Sequence, residues 1–284
     1  MAIRIYKPTT NGRRNASVNL HEEVTRREPE KSLLAPLRRT GGRNVQGKIT
    51  TRGRAGGHKR RYRLIDFRRT KDDMAAKVKA IEYDPNRTCH IALVEYADGT
   101  LRYILAPRGI KVGNNVLSSL NVIEPELGNT MPLRHIPTGL TVHNIEFEPG
   151  KAGALCRSAG SGARLSNKEG QWATLVLPSG EIRQVSLDCR ATIGQLGNLD
   201  HQNVKLGKAG RNRWRGRKGK TRGMAMSHHA HPMGGGEGRS KGGREPAGPS
   251  GTKAKGGHTR SPGKWTDSRI IRRRKSTRYG QLKI

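Results

Sequence analysis

The sequence predicts a mainly β fold, with two small β units in tandem between long, basic, irregular N- and C-terminal extensions. Three observations lead there. Short alternating or β-rich runs recur at a spacing of roughly 8–12 residues, separated by Gly and Pro turns, with no alternation of strand and helix patterns. Charge is distributed unevenly: residues 1–63 carry 17 Lys and Arg against 4 acids, residues 64–200 carry 16 against 15, and residues 201–284 carry 23 against 3. Hydrophobic content is 32% and aromatic content 4% over 284 residues, too little for the whole chain to bury itself. Only the near-neutral centre has the material for a core. The flanks lack the apolar surface that would offset the entropy of ordering them.

The N-terminal extension, residues 1–65, shows no sustained period. Leu33, Leu34 and Leu37 could dock on a surface, and Pro36 argues against a long helix there. From Gly41 the text is GGRNVQGKITTRGRAGGHKRRYR, which suits an arm threaded along phosphates; a flexible tail is the alternative. Its candidate nucleic-acid contacts are Arg52, Arg54, His58, Lys59, Arg60, Arg61, Tyr62 and Arg63, continued by Arg68 and Arg69. The first β unit, residues 66–125, holds runs at Met74–Tyr83, His90–Tyr96 and Leu101–Leu105, and Asn121–Ile123 closes it. Asp98-Gly99 between the second and third runs predicts a hairpin, because Gly accepts the positive φ of a tight turn. Pro125 and Gly128 to Pro132 read as a linker.

The second β unit, residues 126–200, holds Thr141–Glu146, Ala154–Ser158, Ala163–Asn167, Trp172–Leu177 and Glu181–Leu187. Turn sequences at Glu148-Pro149-Gly150, Glu169-Gly170 and Pro178-Ser179-Gly180 separate these runs. A short helix is expected near Leu199–Leu206, and the C-terminal extension, residues 201–284, is rich in glycine, arginine and lysine.

The net charge of +34 and the isoelectric point near 11.2 point to nucleic acid before membrane or acidic protein. The densest segment is RNRWRGRKGKTRGMAMSHHAHPMGGGEG, residues 211–238. Arg211, Arg213, Arg215, Arg217, Lys218, Lys220 and Arg222 supply phosphate ligands without an intervening acid. Trp214, flanked by guanidiniums, offers a face for a base, with packing on a barrel as the alternative. His228, His229 and His231 follow. Gly234, Gly235 and Gly236 allow close backbone approach, and Arg239, Arg272, Arg273, Arg274 and Lys275 complete the candidate nucleic-acid-binding set. A solvated, disordered linker is the rival reading of this stretch, and the combination of Trp, clustered His and charge weighs against it.

Other chemistries find little support. Cys89, Cys156 and Cys189 are far apart, with no zinc-ligand spacing, and read as free thiols in a reducing compartment. A histidine metal site lacks Cys partners and has only Glu237 nearby. The glycine run is followed by no GK[ST] and is not a phosphate loop of the nucleotide-binding kind. No carboxylate or Cys/His constellation for catalysis is evident, so no enzyme is expected. No apolar run approaches the roughly 20 residues of a membrane helix, and residues 1–10 lack a signal-peptide core.

Several strings resemble the L-two family of large-subunit ribosomal proteins: GGHKRRYRLIDFRR (56–69), EYDPNRTCHIALVEYADGTLRYILAP (82–107) and GLTVHNIEFEPGKAG (139–153). The likeness continues through DCRATIGQLGN (188–198), LGKAGRNRWRGR (206–217) and HPMGGGEGR (231–239). The resemblance implies an OB-like barrel followed by an SH3-like barrel, with both extensions entering large-subunit rRNA. It also implies a role in subunit joining and in the neighbourhood of the peptidyl-transferase centre. The expected partners are that rRNA, the small subunit at an inter-subunit bridge and neighbouring ribosomal proteins, with no membrane. The expected location is the cytoplasmic ribosome, an organellar ribosome being left open. No cofactor is expected beyond Mg2+ or K+ ions belonging to the rRNA. One departure stands out in the family's Met-Asn-Pro and Asp-His-Pro-His: His231 and Pro232 match, but Ser227-His228 stand for Asn-Pro, Ala230 for the aspartate and Met233 for the second histidine. Roles that need that aspartate or that second histidine have no matching residue here, and a general base at His231 would lack its orienting partner. The rival functions are a non-ribosomal polyanion binder, which need not carry these strings, and an RNA-acting enzyme, which would need a constellation the sequence lacks.

Overall fold

The structure, a computed structural model, describes residues 2–238, 243–255, 260–261, 263–276 and 280–281. The chain forms two compact units: Met1–Arg38 with Arg60–Lys208 and Thr266–Ile284, and Arg39–Lys59 with Ala209–Trp265. In the first unit, β1 (Ile3–Ile5) pairs with β2 (Ser17–Asn19), and β3 (Leu34–Pro36) pairs with β4 (Arg61–Arg63). A four-stranded antiparallel sheet follows from β5 (Ala76–Glu82), β6 (Ile91–Tyr96), β7 (Leu101–Leu105) and β8 (Asn115–Val116), in the order β7-β6-β5-β8. A seven-stranded antiparallel sheet contains β9 (Thr130–Pro132), β10 (Thr141–His143), β11 (Ala163–Glu169), β12 (Trp172–Val176), β13 (Ile182–Ser186), β14 (Arg190–Ile193) and β15 (Ile270–Arg272). Its order is β15-β13-β12-β11-β10-β14-β9. A last pair joins β16 (Lys275–Ser276) to β17 (Gly280–Gln281). Both main sheets are curled, matching the OB-like and SH3-like barrels expected.

Strand β5 shows how the sequence builds the first core. Ala76 and Val78 are buried while Lys77 and Lys79 are exposed, the period-2 alternation of a half-buried strand. A register shift between Val78 and Ala80 then re-aims the strand, so that Ala80, Ile81 and Glu82 are all buried. Val78 and Ile81 pack with Ala92, Val94 and Ile104, whereas Ala80 packs with Ile91, Leu93 and Tyr103. Leu33 and Ile65 cover that second cluster, which gives the N-terminal leucine run a docking place. The Asp98-Gly99 hairpin forms as its sequence predicts: Gly99 sits at φ 76°, and its N–H donates to Tyr96 O at 2.9 Å.

The second core is built on Met131, Leu133, Ile136, Val142, Leu165, Leu175, Val185 and Ile193. Polar bridges bind the two sheets. Arg190 Nη2 lies 2.6 Å from Asp72, its Nη1 donates to Arg69 O at 3.0 Å, and Asn144 Nδ2 donates to Phe67 O at 3.1 Å. The N-terminal segment is tied down by a chain running from Glu23 to the buried His90 at 3.0 Å and on to His21 at 3.0 Å.

Five expectations need correction. Asn121–Ile123 does not close the first sheet; the two-residue β8 does, and it is too short to leave a period. Ala154–Ser158 makes only the Ile145–Leu155 bridge, because Cys156 turns to φ 53°. The linker at Gly128–Pro132 contains β9, where Pro132 is tolerated because β9 is the sheet edge. The C-terminal extension is not irregular throughout: β15 adds to β13, with Ile270 buried and Arg269 stacked 3.5 Å from the centroid of Trp172. The helix expected near Leu199–Leu206 is a 3-10 turn at Leu199–Asn203.

The second unit is made from two segments distant in sequence. The short helix α1 (Ala209–Trp214) ends at Gly216, whose N–H donates to Arg213 O and whose φ is 80°. Beyond it the chain runs antiparallel to residues 53–58. His58 N–H donates to Trp214 O at 2.8 Å, Ala55 N–H to Gly216 O at 2.9 Å, and Lys218 N–H to Gly53 O at 2.9 Å. The crossing has no room for side chains at two positions. A Cβ on Gly57 would lie 2.6 Å from Gly216 N and 2.7 Å from Trp214 O, and a Cβ on Gly216 would lie 2.8 Å from Ala55 O. A hairpin at residues 43–49 completes the N-terminal segment through the Arg43–Ile49 bridge.

Two measurements test this account. Gly57→Ala should speed tryptic cleavage within residues 39–59 of the free protein well beyond Gly47→Ala. Both glycines are left-handed, at φ 67° and 77°, but nothing lies within 4 Å of a Cβ on Gly47. The shared φ penalty, about 1–2 kcal/mol, cancels between them, and equal cleavage would reject the crossing. The second measurement concerns His143, which is buried and donates from Nδ1 to Gly194 O at 2.8 Å. Burial, aided by the charge of Arg69, lowers its pKa to about 4. The unfolded state therefore takes up the proton first as pH falls, so the contribution is intact above about 6.5 and is lost toward 4. Urea unfolding should show a loss on the order of 2 kcal/mol between pH 8 and pH 5 that His143→Gln abolishes.

Candidate nucleic-acid interface

The second unit concentrates positive charge on paired backbone. Its two segments hold 20 Lys and Arg against two acids, Glu237 and Glu245, and Glu245 is engaged by Lys253 at 2.7 Å. Arg54 and Arg217 are directly opposed in an antiparallel bridge, and both are exposed. Like charges facing each other across strands are unfavourable. Arg52, His58, Lys59, Arg213, Arg215, Lys218, Lys220 and Arg222 are also exposed, and Arg211 is half-buried. Trp214 is 57% exposed at the end of α1. Thus the candidates from residues 52–59 and 211–222, far apart in sequence, share one body.

The histidine loop is locally folded. Gly235 N–H donates to Met226 O at 3.0 Å and Gly234 N–H to His231 O at 2.9 Å, which closes the turn around Ser227–Met233. The rings of His228 and His229 are exposed and lie 3.9 Å apart, inclined by 43°. His231 differs from them: it is only 8% exposed, and its Nδ1 accepts the N–H of Met233 at 3.0 Å. With Nδ1 acting as acceptor, the neutral ring carries its proton on Nε2. A side chain at Gly223 would collide with this ring, and one at Gly234 would lie 2.5 Å from Met226 O. His231 therefore holds the loop together. Among the described residues no group of three or more His, Cys, Asp or Glu is placed to hold a metal.

Not every candidate reaches the surface. Arg63 and Arg69 turn inward, 9% and 3% exposed. Arg69 Nη1 donates to Gly128 O at 3.4 Å, its carbonyl accepts from Arg190 and Ser118, and burial lowers its pKa. It braces the two sheets, which leaves these two arginines out of the exposed set. Arg61 and Arg68 are exposed, while Arg60 and Tyr62 are half-buried. Arg272, Arg274 and Lys275 are exposed beside β15, whereas Arg273 faces Glu181 at 3.6 Å. Arg239 lies outside the described residues. Sequence reasoning passed over Arg39, Arg43 and Lys48, which belong to the same unit. The Gly-Gly-Arg text around them carried the signal, but nothing local marked the pairing. Among the described residues no helix is long and apolar enough to cross a membrane.

Residues 30–118 match the family model described as Ribosomal Proteins L2, RNA binding N-terminal domain, and residues 126–251 match Ribosomal Proteins L2, C-terminal domain. The chain is 56% identical over 285 residues to the "Large ribosomal subunit protein uL2" of Rhodopirellula baltica, covering 100% of this chain and 99% of that protein. Paired cationic backbone, two curled sheets and matches over most of the chain agree: the chain belongs to the L2 family of ribosomal proteins.

Proposed function

We propose that this chain is a structural constituent of the large ribosomal subunit that grips rRNA mainly through its second unit. The opposed Arg54 and Arg217, on backbone that holds 20 cations against two acids, carry the reading. A phosphate placed between two guanidiniums converts their repulsion into two charge-assisted contacts. Trp214 and the His228–His229 pair supply faces for bases or riboses, and on the first unit the exposed Arg61, Arg68, Arg272, Arg274 and Lys275 are further candidate contacts. The finer parts of the proposal are support for subunit joining, through contact with the small subunit, and for the architecture around the peptidyl-transferase centre. Neighbouring ribosomal proteins and the Mg2+ or K+ ions of the rRNA complete the setting, and the cytoplasmic ribosome is the location the reading favours. The chain acts by position, with no chemical step of its own.

Affinity for a large-subunit rRNA fragment should fall linearly with the logarithm of salt concentration. Replacing Arg54 and Arg217 by Gln should reduce the slope by about 1, since one phosphate neutralised releases roughly 0.7–0.9 counterion. An unchanged slope would remove the crossing from the interface. Chain and large subunit should also co-sediment at a fixed ratio, as a general polyanion binder would not. In assembled ribosomes, His231→Gln should leave single-turnover peptidyl transfer near normal from pH 6 to 8.5, while deletion of residues 226–238 impairs assembly or subunit joining. A loss of about 100-fold in the Gln variant, the scale of a missing general base, would revive catalysis.

A further inference from the structure

Lys111 and Arg134 bracket 22 residues without a single Lys or Arg, the longest such run in a chain that carries 56 of them. Its middle, residues 120–127, connects the two sheets and is almost wholly exposed. Leu120 is 57% and Val122 70% exposed, a level of apolar exposure that phosphate contacts do not explain. Glu124 and Glu126 are exposed as well, and neither has an ion pair among the described residues. Ile123 turns inward and packs on the second core, which fixes the segment in place. Beside it lies a cleft of about 320 Å³ whose lining joins apolar Ala75, Val116, Leu117 and Ile123 to the carboxyl-bearing Glu124 and Glu126.

Such a surface repels a phosphate backbone and offers an apolar floor. We propose that it docks a basic segment of a neighbouring protein, with an apolar side chain in the cleft and Lys or Arg against Glu124 and Glu126. Two carboxylates spaced two residues apart suit cations at alternate positions of an extended peptide, whose side chains recur on one face with period two. Charge complementarity selects the partner. In a particle made of RNA and basic proteins, an acidic, apolar face is the part of this chain that RNA is least suited to cover. The proposal rests on the ribosomal placement argued above and adds a surface of opposite sign to the rRNA interface.

The test uses assembled particles containing the chain with p-benzoylphenylalanine in place of Val122, isolated on a sucrose gradient and irradiated. The expected product is a ribonuclease-resistant crosslink to one protein, mapping to a Lys- or Arg-rich segment. Changing Glu124 and Glu126 together to Lys should cut its yield by about tenfold or more, the effect of like charges placed across an interface. Incorporation into the particle should be unaffected, because both carboxylates lie outside the rRNA interface. A crosslink to rRNA, no crosslink at all, or a yield insensitive to the double substitution would overturn the proposal. Failure of the unsubstituted chain to enter the particle would instead overturn the placement on which it rests, so the two failures are distinguishable.

Discussion

Backbone hydrogen bonds between residues 53–58 and 214–218 hold together two stretches that their own charges push apart. The N–H groups of Ala55, His58 and Lys218 all donate across the crossing, at 2.8–2.9 Å. These bonds depend on glycine, because a side chain at Gly57 or Gly216 would occupy the space the opposite backbone needs. Net hydrogen-bond contributions are modest, about 0.5–1.5 kcal/mol each. A crossing built on a few of them and loaded with cations is therefore poised to respond to a polyanion. A polyanion bound at this crossing would be thermodynamically linked to its ordering, since phosphate both satisfies guanidiniums and removes the repulsion that opposes pairing.

The first unit solves a different problem. Its β centre is nearly neutral, and there cations are consumed internally. Arg69 and Arg190 brace one sheet to the other, Arg102 pairs with Asp66 at 2.5 Å, and Arg87 with Asp84 at 2.5 Å. Tyr103 donates to the buried Glu82 at 2.5 Å, and burial raises the pKa of that carboxyl. The thiols of Cys89 and Cys189 are buried, and burial raises their pKa values to about 11 and about 12, so neither is a reactive thiolate at neutral pH. Charge is thus partitioned between the units: paired and half-buried where it fixes the barrels, opposed and exposed on the second unit's crossing.

Local signals were legible and nonlocal ones were not. Asp98-Gly99 specified its hairpin because turn and strands are contiguous, and Trp172–Val176 and Ile182–Ser186 were visible for the same reason. Strand β15 was hidden, because Ile270-Ile271-Arg272 becomes a strand only by meeting β13, far earlier in the chain. Burial of Arg63 and Arg69 was equally invisible: an arginine reads as a surface cation until tertiary structure shows carbonyls and carboxylates around it. For the interface, composition located the cationic segments and the glycines, but the partner of each glycine lay in the other segment. At His231 the sequence shows only a clustered histidine; its hydrogen bond from Met233, which makes it the clasp of its own loop, appears only in the folded chain.

Pairings this remote impose an order of events on synthesis. Residues 53–58 leave the translating ribosome long before Trp214 and Gly216, so their backbone partners do not yet exist while the two β sheets are forming. The second sheet likewise receives its last strand only when Ile270–Arg272 emerges. High sequence separation of this kind slows closure. During that interval the early arginines are exposed as an unpaired cationic strand, without the backbone partners that the later segment brings.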